Sequence, residues 1–171
     1  MTSLNVVLYQ PKIPQNTGNI ARTCAAVGAT LHLIKPLGFS VRDRYLKRAG
    51  LDYWHMVEIV YHDTMDDFFE KYGPKNLNLI TKKASKTYDT IDFSGEVFLI
   101  FGKETSGLPE ELMKRNRERC FRIPMKPDAR SLNLSNAVAV VVYEACRRTG
   151  FQTLLLDGSE ERGPVEKGSK Q

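Results

Sequence analysis

Short apolar runs alternate along this chain with stretches in which apolar residues recur every three or four positions. The apolar runs predict six strands, at residues 4–9, 30–34, 56–60, 77–81, 96–101 and 120–123. The run at 96–101 is apolar throughout its second half, which is typical of a strand buried on both faces. Strands that alternate with helices indicate an α/β fold, here a single domain with a mostly parallel sheet flanked by helices.

The first helical stretch follows the first strand and carries one apolar face. Ile20, Cys24 and Val27 share that face, and Gly28 is expected to end the helix. Arg22 lies two residues from both Ile20 and Cys24, so its side chain should project away from the apolar face.

The start of this helix is expected at a polar cap, either Asn16 or Thr17. Three further helices are predicted from the same kind of periodicity and from their end residues. They lie at residues 42–49, where the helix is basic and Gly50 ends it, at 65–72, and at 110–116.

The last helix follows a loop that is crowded with small polar side chains. Its buried face is predicted from residues four, seven, eight and eleven positions after Leu134, namely Val138, Val141, Val142 and Ala145. Gly150 suits its end. The loop contains Ser131, Asn133, Ser135 and Asn136. Polar loops between buried elements often hold ligands, but four capping residues would serve equally well simply to start a helix.

Composition indicates the class of protein and its cellular compartment. The 171 residues are 42% hydrophobic and 26% charged, as in an ordinary globular domain. We expect a cytoplasmic protein without membrane spans, because no signal pattern begins the chain and the longest apolar run, 137–143, is short. The three cysteines and three histidines lack disulfide or metal-site spacing, so no metal is expected. A formal charge of +5 permits binding to nucleic acid.

Four loops should meet at the carboxyl edge of the sheet, where ligands of open α/β folds collect. They are residues 10–16, 81–86, 102–109 and 124–135. No Gly-x-Gly turn is present, and Glu104 stands where a phosphate-binding loop needs Ser or Thr. A site of backbone groups, small polar side chains, Arg22 and Glu104 suits a neutral or cationic adenosine-containing ligand. The alternative for residues 102–107 is a plain turn before a helix.

Three of these loops together resemble the SPOUT superfamily of RNA 2′-O-methyltransferases. Its first motif is similar to Asn-Thr-Gly-Asn-Ile-Ala-Arg at residues 16–22, and its second to Phe-Gly-Lys-Glu-Thr-Ser-Gly-Leu-Pro at 101–109. Its third is similar to residues 123–125 together with Ser-Leu-Asn-Leu-Ser-Asn-Ala at 131–137. The match covers residues 4–150. It looks most like the small tRNA (cytidine/uridine-2′-O-)-methyltransferases that act at the wobble position.

The resemblance implies S-adenosylmethionine as methyl donor, a homodimer, a tRNA anticodon stem-loop as substrate and a trefoil knot after the fifth strand. It places the cofactor at Ile80, Gly102, Glu104, Ile123, Ser131 and Leu132. It places Arg22, Asn16, Glu104, Asn133 and Tyr143 at the reaction site, with Glu104 or an RNA phosphate as candidate proton acceptor. Tyr143 is equally well explained as a core residue of the last helix. The methyltransferase domain is expected to span residues 1–156, and 157–171 to form a mobile polar tail.

RNA is expected to approach over basic side chains, although each cluster is individually more typical of a solvated helix face. The clusters are Arg42, Arg44, Lys47 and Arg48; Lys82, Lys83 and Lys86; and Lys114, Arg115, Arg117 and Arg119. Tyr53 and Trp54 are candidates for base stacking or for a subunit contact. Three other functions remain open from the sequence: methylation of ribosomal RNA, RNA binding without catalysis, and small-molecule chemistry.

Overall fold

The computed structural model describes residues 2–40, 54–73, 75–152 and 154–157. Within these ranges the chain forms seven strands and four α-helices. The strands are β1 (Ser3–Tyr9), β2 (Thr30–Ile34), β3 (Ile59–His62), β4 (Asn76–Ile80), β5 (Lys86–Thr87), β6 (Glu96–Phe101) and β7 (Cys120–Arg122). The helices are α1 (Pro14–Val27), α2 (Met65–Tyr72), α3 (Glu110–Arg115) and α4 (Leu134–Arg148).

The strands form one sheet in the order β3-β2-β1-β6-β4-β7-β5, and every strand pair in it is parallel. The predicted α/β class with a parallel sheet is therefore confirmed. The strand order places the carboxyl ends of β1, β6, β4 and β7 side by side. The trefoil knot stays a prediction.

Both faces of the sheet are covered by helices. Val6 and Leu8 of β1 face the cluster formed with α1 and α4, whereas Val7 between them faces the cluster formed with α2. β6 alternates in the same way, and Val97 to Phe101 are all buried. The prediction that this strand is buried on both faces is confirmed.

A buried polar chain crosses three neighbouring strands beneath α2. Asn5 Nδ2 donates to the Val97 carbonyl, which leaves Asn5 Oδ1 to accept from His32 Nε2 at 3.1 Å. His32 Nδ1 must then accept from His62 Nε2, at 3.1 Å. Burial, followed by the neighbouring His62 and Lys71, lowers the pKa of His32 to about 4. Burial, followed by Lys71, also lowers the pKa of His62, so both imidazoles are neutral in the fold near pH 7.

Helix and strand bounds correct two sequence predictions. α1 begins at Pro14, with Ile13 as its N-cap, so Asn16 and Thr17 are inside the helix and neither caps it. Proline suits this first position because its fixed φ and missing N–H cost nothing there. β3 begins three residues later than expected, at Ile59, because its register is set by pairing with β2.

The two-residue strand β5 was not predicted, because such a short element exists only through its pairing with β7. The helix ends were predicted well: Gly28 follows α1 with φ of +71°, and Gly150 lies two residues after α4 with φ of +73°.

Several predictions lie outside the described residues. These are the basic helix at 42–49 with Gly50, the stacking candidate Tyr53, and nearly all of the polar tail. Trp54 is described, and it packs partly buried against the core on the α1 side. Among the described helices, none combines the length and apolar character that crossing a membrane requires.

Candidate functional site

The loops that follow β1, β4, β6 and β7 enclose one cavity of about 450 Å³ at the carboxyl edge of the sheet. This volume lies within the range of small-molecule sites. All four loops that the sequence placed at this edge contribute to its lining. They meet because parallel strands end at the same edge, and because the sheet order makes these four strands neighbours.

The cavity brings together most of the residues that the resemblance singled out. Its lining includes all six cofactor candidates, Ile80, Gly102, Glu104, Ile123, Ser131 and Leu132. Asn16 and Asn133, two of the reaction-site candidates, also line it. The roles of these residues stay predictions, but their predicted proximity is present in the fold.

Arg22 and Tyr143 do not belong to this lining. Arg22 is exposed on α1, opposite the buried Ile20 and Cys24, as its position in the helix predicted. Tyr143 is 47% exposed on α4, so the alternative that made it a core residue is wrong.

The turn after β6 closes tightly against Gly102. Lys103 and Gly107 exchange two backbone hydrogen bonds, at 3.1 and 2.9 Å. A Cβ atom built on Gly102 would lie 2.1 Å from the carbonyl carbon of Gly107 and 2.3 Å from the nitrogen of Leu108. Gly102 is therefore required by the close approach of its own loop, whether or not a ligand is bound. The turn also lines the cavity. The plain-turn alternative therefore accounts for the shape of this segment but does not account for its place in the cavity lining.

Glu104 joins this turn to the start of α1. Its Oε2 atom accepts a hydrogen bond from the backbone N–H of Lys12 at 2.9 Å. Its Oε1 atom accepts from the backbone N–H of Ile13 at 3.0 Å and from Asn16 Nδ2 at 3.2 Å. The carboxylate thus satisfies backbone donors at an N-terminus that has no side-chain cap of its own.

Asn16 connects this carboxylate to the loop before α4. It is 5% exposed, and its Oδ1 atom accepts from Asn133 Nδ2 at 3.0 Å. Asn133 is the N-cap of α4, and its own Oδ1 atom accepts from the backbone N–H of Ser135 at 2.8 Å. Of the four small polar residues in this loop, Asn133 is the cap.

The basic side chains around the cavity differ in their partners. Lys83 forms an ion pair with Glu110 at 2.8 Å, and this lowers the pKa of Glu110. Lys103 lies over the ring of Tyr9, with its Nζ atom 5.3 Å from the ring centroid. Lys82 Nζ donates to the Arg130 carbonyl oxygen at 3.4 Å, which links the loops after β4 and β7.

The cavity walls fit a ligand that has a flat apolar part and a polar end. Ile80, Ile123 and Leu132 provide apolar surface, while Gly102 and Ser106 offer backbone polar groups without bulky side chains. Four other apolar lining residues lie within the predicted loops or motifs but were not singled out as site residues: Leu108, Met125, Leu134 and Ala137. Met113 of α3 lines the cavity from outside those segments. Their apolar character gave no signal, since core residues look the same. No group of three or more candidate metal ligands is found within the described residues.

Comparisons with known proteins identify the family of this chain. The SpoU rRNA Methylase family matches residues 3–143. A relative from Bacillus subtilis (strain 168) is 53% identical over 157 residues, which cover 90% of this chain and 98% of the relative. The tRNA (cytidine(34)-2′-O)-methyltransferase of Escherichia coli (strain K12) is 46% identical over 154 residues, with coverage of 90% and 98%.

Solved structures of methyltransferases are also similar to this chain. One, described as giving structural insights into the 2-OH methylation of C/U34 on tRNA, is 44% identical with a TM-score of 0.82, covering 88% of this chain and 98% of the other. The AdoMet-bound rRNA methyltransferase from Sinorhizobium meliloti is 30% identical with a TM-score of 0.76, covering 85% of this chain and 56% of the other. This chain therefore belongs to the SpoU methylase family, within the SPOUT class that its three motifs resemble.

Proposed function

We propose that this protein transfers a methyl group from S-adenosylmethionine to the ribose 2′-hydroxyl of cytidine 34 in tRNA. The observation that carries the proposal is the 46% identical match to the E. coli enzyme of that activity, which covers 90% of this chain. The family match at residues 3–143 includes the three motifs. The match accounts for 98% of that enzyme, so nearly all of its length has a counterpart here.

The cavity at the sheet edge is the proposed cofactor site. S-adenosylmethionine supplies the methyl group on a sulfonium centre. Ile80, Ile123 and Leu132 would hold its adenosine through apolar contact, and the backbone around Gly102 would hold its polar groups. The place of Gly102 and Ser106 in the cavity lining supports this assignment.

Arg22 is proposed to act on the RNA. Its guanidinium stays protonated at any physiological pH, so it is not a literal base. A fixed cation can instead bind a phosphate beside the target and stabilise the alkoxide that develops on the 2′-oxygen. Its exposure on α1, outside the cavity lining, supports a contact with RNA over one with the cofactor.

Fewer basic side chains are proposed to contact tRNA than the clusters named from the sequence contain. Lys83, Lys86 and Arg115 are each paired with a glutamate, and Arg119 donates to the Lys75 carbonyl. Lys82, at the cavity, has no carboxylate partner among the described residues. It is therefore a better candidate for a phosphate contact than the paired cations.

A homodimer is also part of the proposal. Val140 and Tyr143 lie one turn apart on α4 and leave apolar surface exposed. Such surface is typical of an interface between copies of a chain. Light scattering at micromolar concentration should give the mass of two chains, and a purely monomeric species would contradict this part of the proposal. Cytoplasmic location stays a prediction.

The function is tested by incubating the purified protein with S-adenosylmethionine and unmodified tRNA transcripts. Mass spectrometry of RNase fragments should find one added methyl group on the ribose of nucleotide 34. A transcript with deoxycytidine at position 34 is the matched control, because it lacks only the acceptor oxygen. Methylation of that control, or of ribosomal RNA in preference to tRNA, would contradict the proposal.

The role of Arg22 is tested by Arg22→Ala and Arg22→Lys. Arg22→Ala should lower the rate of methyl transfer by about a hundredfold or more, as loss of one electrostatic contact at a transition state typically does. Its affinity for S-adenosylmethionine, measured by calorimetry, should stay near wild type. Arg22→Lys should recover little, because a point charge does not reproduce the planar fork. Joint loss of cofactor binding and activity in Arg22→Ala would assign Arg22 to the pocket or the fold.

A further inference from the structure

We propose that Asn16, Glu104 and Asn133 form a positioning relay that holds three loops of the site in register, and that Glu104 is not the proton acceptor. The inference rests on the proposed function, because it assigns roles within that reaction. It also replaces the expectation that these three residues take part in the chemistry directly.

The relay has a fixed direction of hydrogen bonding. Asn133 Nδ2 donates to Asn16 Oδ1, and Asn16 Nδ2 donates to Glu104 Oε1, so each amide is oriented by its neighbour. At one end Asn133 Oδ1 accepts from the N–H and the hydroxyl of Ser135, at 2.8 and 2.7 Å. At the other end Glu104 accepts from two backbone N–H groups. Every side chain in the relay therefore has its partners defined.

Both oxygens of the Glu104 carboxylate accept hydrogen bonds in this arrangement. Three N–H donors converge on its two oxygens, and two of these donors belong to the backbone just before α1. A proton on the carboxyl group would remove the negative charge that strengthens these three hydrogen bonds, including the one from the amide of Asn16, which is 5% exposed. The geometry suits a carboxylate that holds backbone in place.

The relay links parts of the site that are far apart in sequence. Glu104 lies in the turn that lines the cofactor cavity, Asn16 lies in α1, which carries Arg22, and Asn133 starts α4. Any shift of one loop would therefore move the others. A displacement of about 1 Å in a catalytic group is enough to lower a rate by about a hundredfold.

A double-mutant cycle separates positioning from proton transfer. In Asn16→Asp a second carboxylate would face Glu104, and in Glu104→Gln an amide N–H₂ would face another donor, so each single variant places like groups in contact. In the double variant the new amide at position 104 can donate to the new carboxylate at position 16, which restores that bond with its direction reversed. The rescue is partial, because the N–H of Ile13 loses its acceptor. Each single variant should lower kcat for methyl transfer by about ten- to a hundredfold. The kcat of the double variant should exceed that of the slower single variant by about tenfold.

The proton-acceptor role makes the opposite prediction. If Glu104 took the proton, Glu104→Gln would remove an ionisation from the pH profile of kcat, and Asn16→Asp would not rescue it. A folded double variant that stays as slow as Glu104→Gln would overturn the relay. Glu111→Gln is the matched control for lost charge, since Glu111 lies on the exposed face of α3 in an ion pair with Arg115.

Asn133→Asp provides a second test in case Glu104→Gln does not fold. This change keeps the oxygen that caps α4, and it replaces the donor to Asn16 with a carboxylate oxygen that faces the Asn16 oxygen. Melting should stay near wild type, while kcat should fall by about tenfold. Wild-type kcat in Asn133→Asp would also overturn the relay. Failure of the proposed function itself is distinguishable, because wild-type protein would then not methylate nucleotide 34 at all.

Discussion

Two glycines of the turn after β6 should respond very differently to the same substitution. In Gly102→Ala the new Cβ would lie 2.1 Å from Gly107 C, 2.3 Å from Leu108 N and 2.6 Å from Gly107 Cα. Ordinary carbon contacts are about 3.5 Å or longer, so the backbone of the turn must move by about 1.4 Å. We expect a loss of about 3 kcal/mol in the free energy of unfolding, the upper part of the usual range for overpacking.

Gly107→Ala is the matched control in the same turn. Gly107 has φ of +70°, but a Cβ there would meet nothing within 4 Å. Its cost is therefore only the strain of a left-handed alanine, about 1 kcal/mol. Because Gly102 and Leu108 line the cavity, Gly102→Ala should also weaken S-adenosylmethionine binding by tenfold or more, on the order expected when a site is displaced by about 1 Å.

Urea denaturation at 25 °C measures the first effect, and titration calorimetry with S-adenosylmethionine measures the second. The unfolding free energies of the variants and wild type can be compared only if their denaturation curves have the same slope, because a changed slope indicates a changed denatured state. The steric argument is refuted if Gly102→Ala is as stable as wild type, or no less stable than Gly107→Ala. Weakened binding with unchanged stability would instead assign Gly102 to direct ligand contact.

Three further predictions concern other parts of the molecule. Because the pKa of His32 falls from 6.5 to about 4 in the fold, the unfolded chain binds more protons between these values. The free energy of unfolding should therefore decrease by up to roughly 3 kcal/mol as pH falls from about 6.5 to 4, and it should decrease less in His32→Gln. Urea titrations at several pH values measure this, and an equal dependence on pH in wild type and His32→Gln would contradict it. Lys82→Ala should reduce the salt dependence of tRNA binding by about one phosphate contact, whereas Lys86→Ala, which breaks an ion pair with Glu118, should not; filter binding at several salt concentrations distinguishes them. Thr17→Val should raise the free energy of unfolding by about 1 kcal/mol, because the buried Thr17 hydroxyl finds no hydrogen-bond partner within the described residues; a loss of stability on thermal unfolding would reveal a partner.

The buried Asn5–His32–His62 chain explains why β3 could not be placed from sequence. His62 reads as a polar residue beyond the end of an apolar run, and the predicted strand stopped at residue 60. In the fold His62 is buried, because His32 of β2 supplies a hydrogen-bond partner and Phe68 and Tyr72 supply ring contacts. The hydrogen bond with His32 therefore allows the polar side chain of His62 to be buried.

Local pattern alone determined the alternation of strands and helices, the parallel sheet and the four loops expected at its carboxyl edge. These follow from periodicity and chain direction, which a single sequence displays. The resemblance, not the pattern, supplied the names of the cofactor and reaction-site residues.

The tertiary structure decided which loops meet and what their residues do. The strand order made β1, β6, β4 and β7 neighbours, and so built one cavity from four distant segments. It brought Glu104 to the N–H groups of Lys12 and Ile13, and turned the expected helix cap Asn16 into the middle of a relay. Contacts between residues about ninety positions apart leave no periodic trace in the sequence, because each partner obeys only its local pattern.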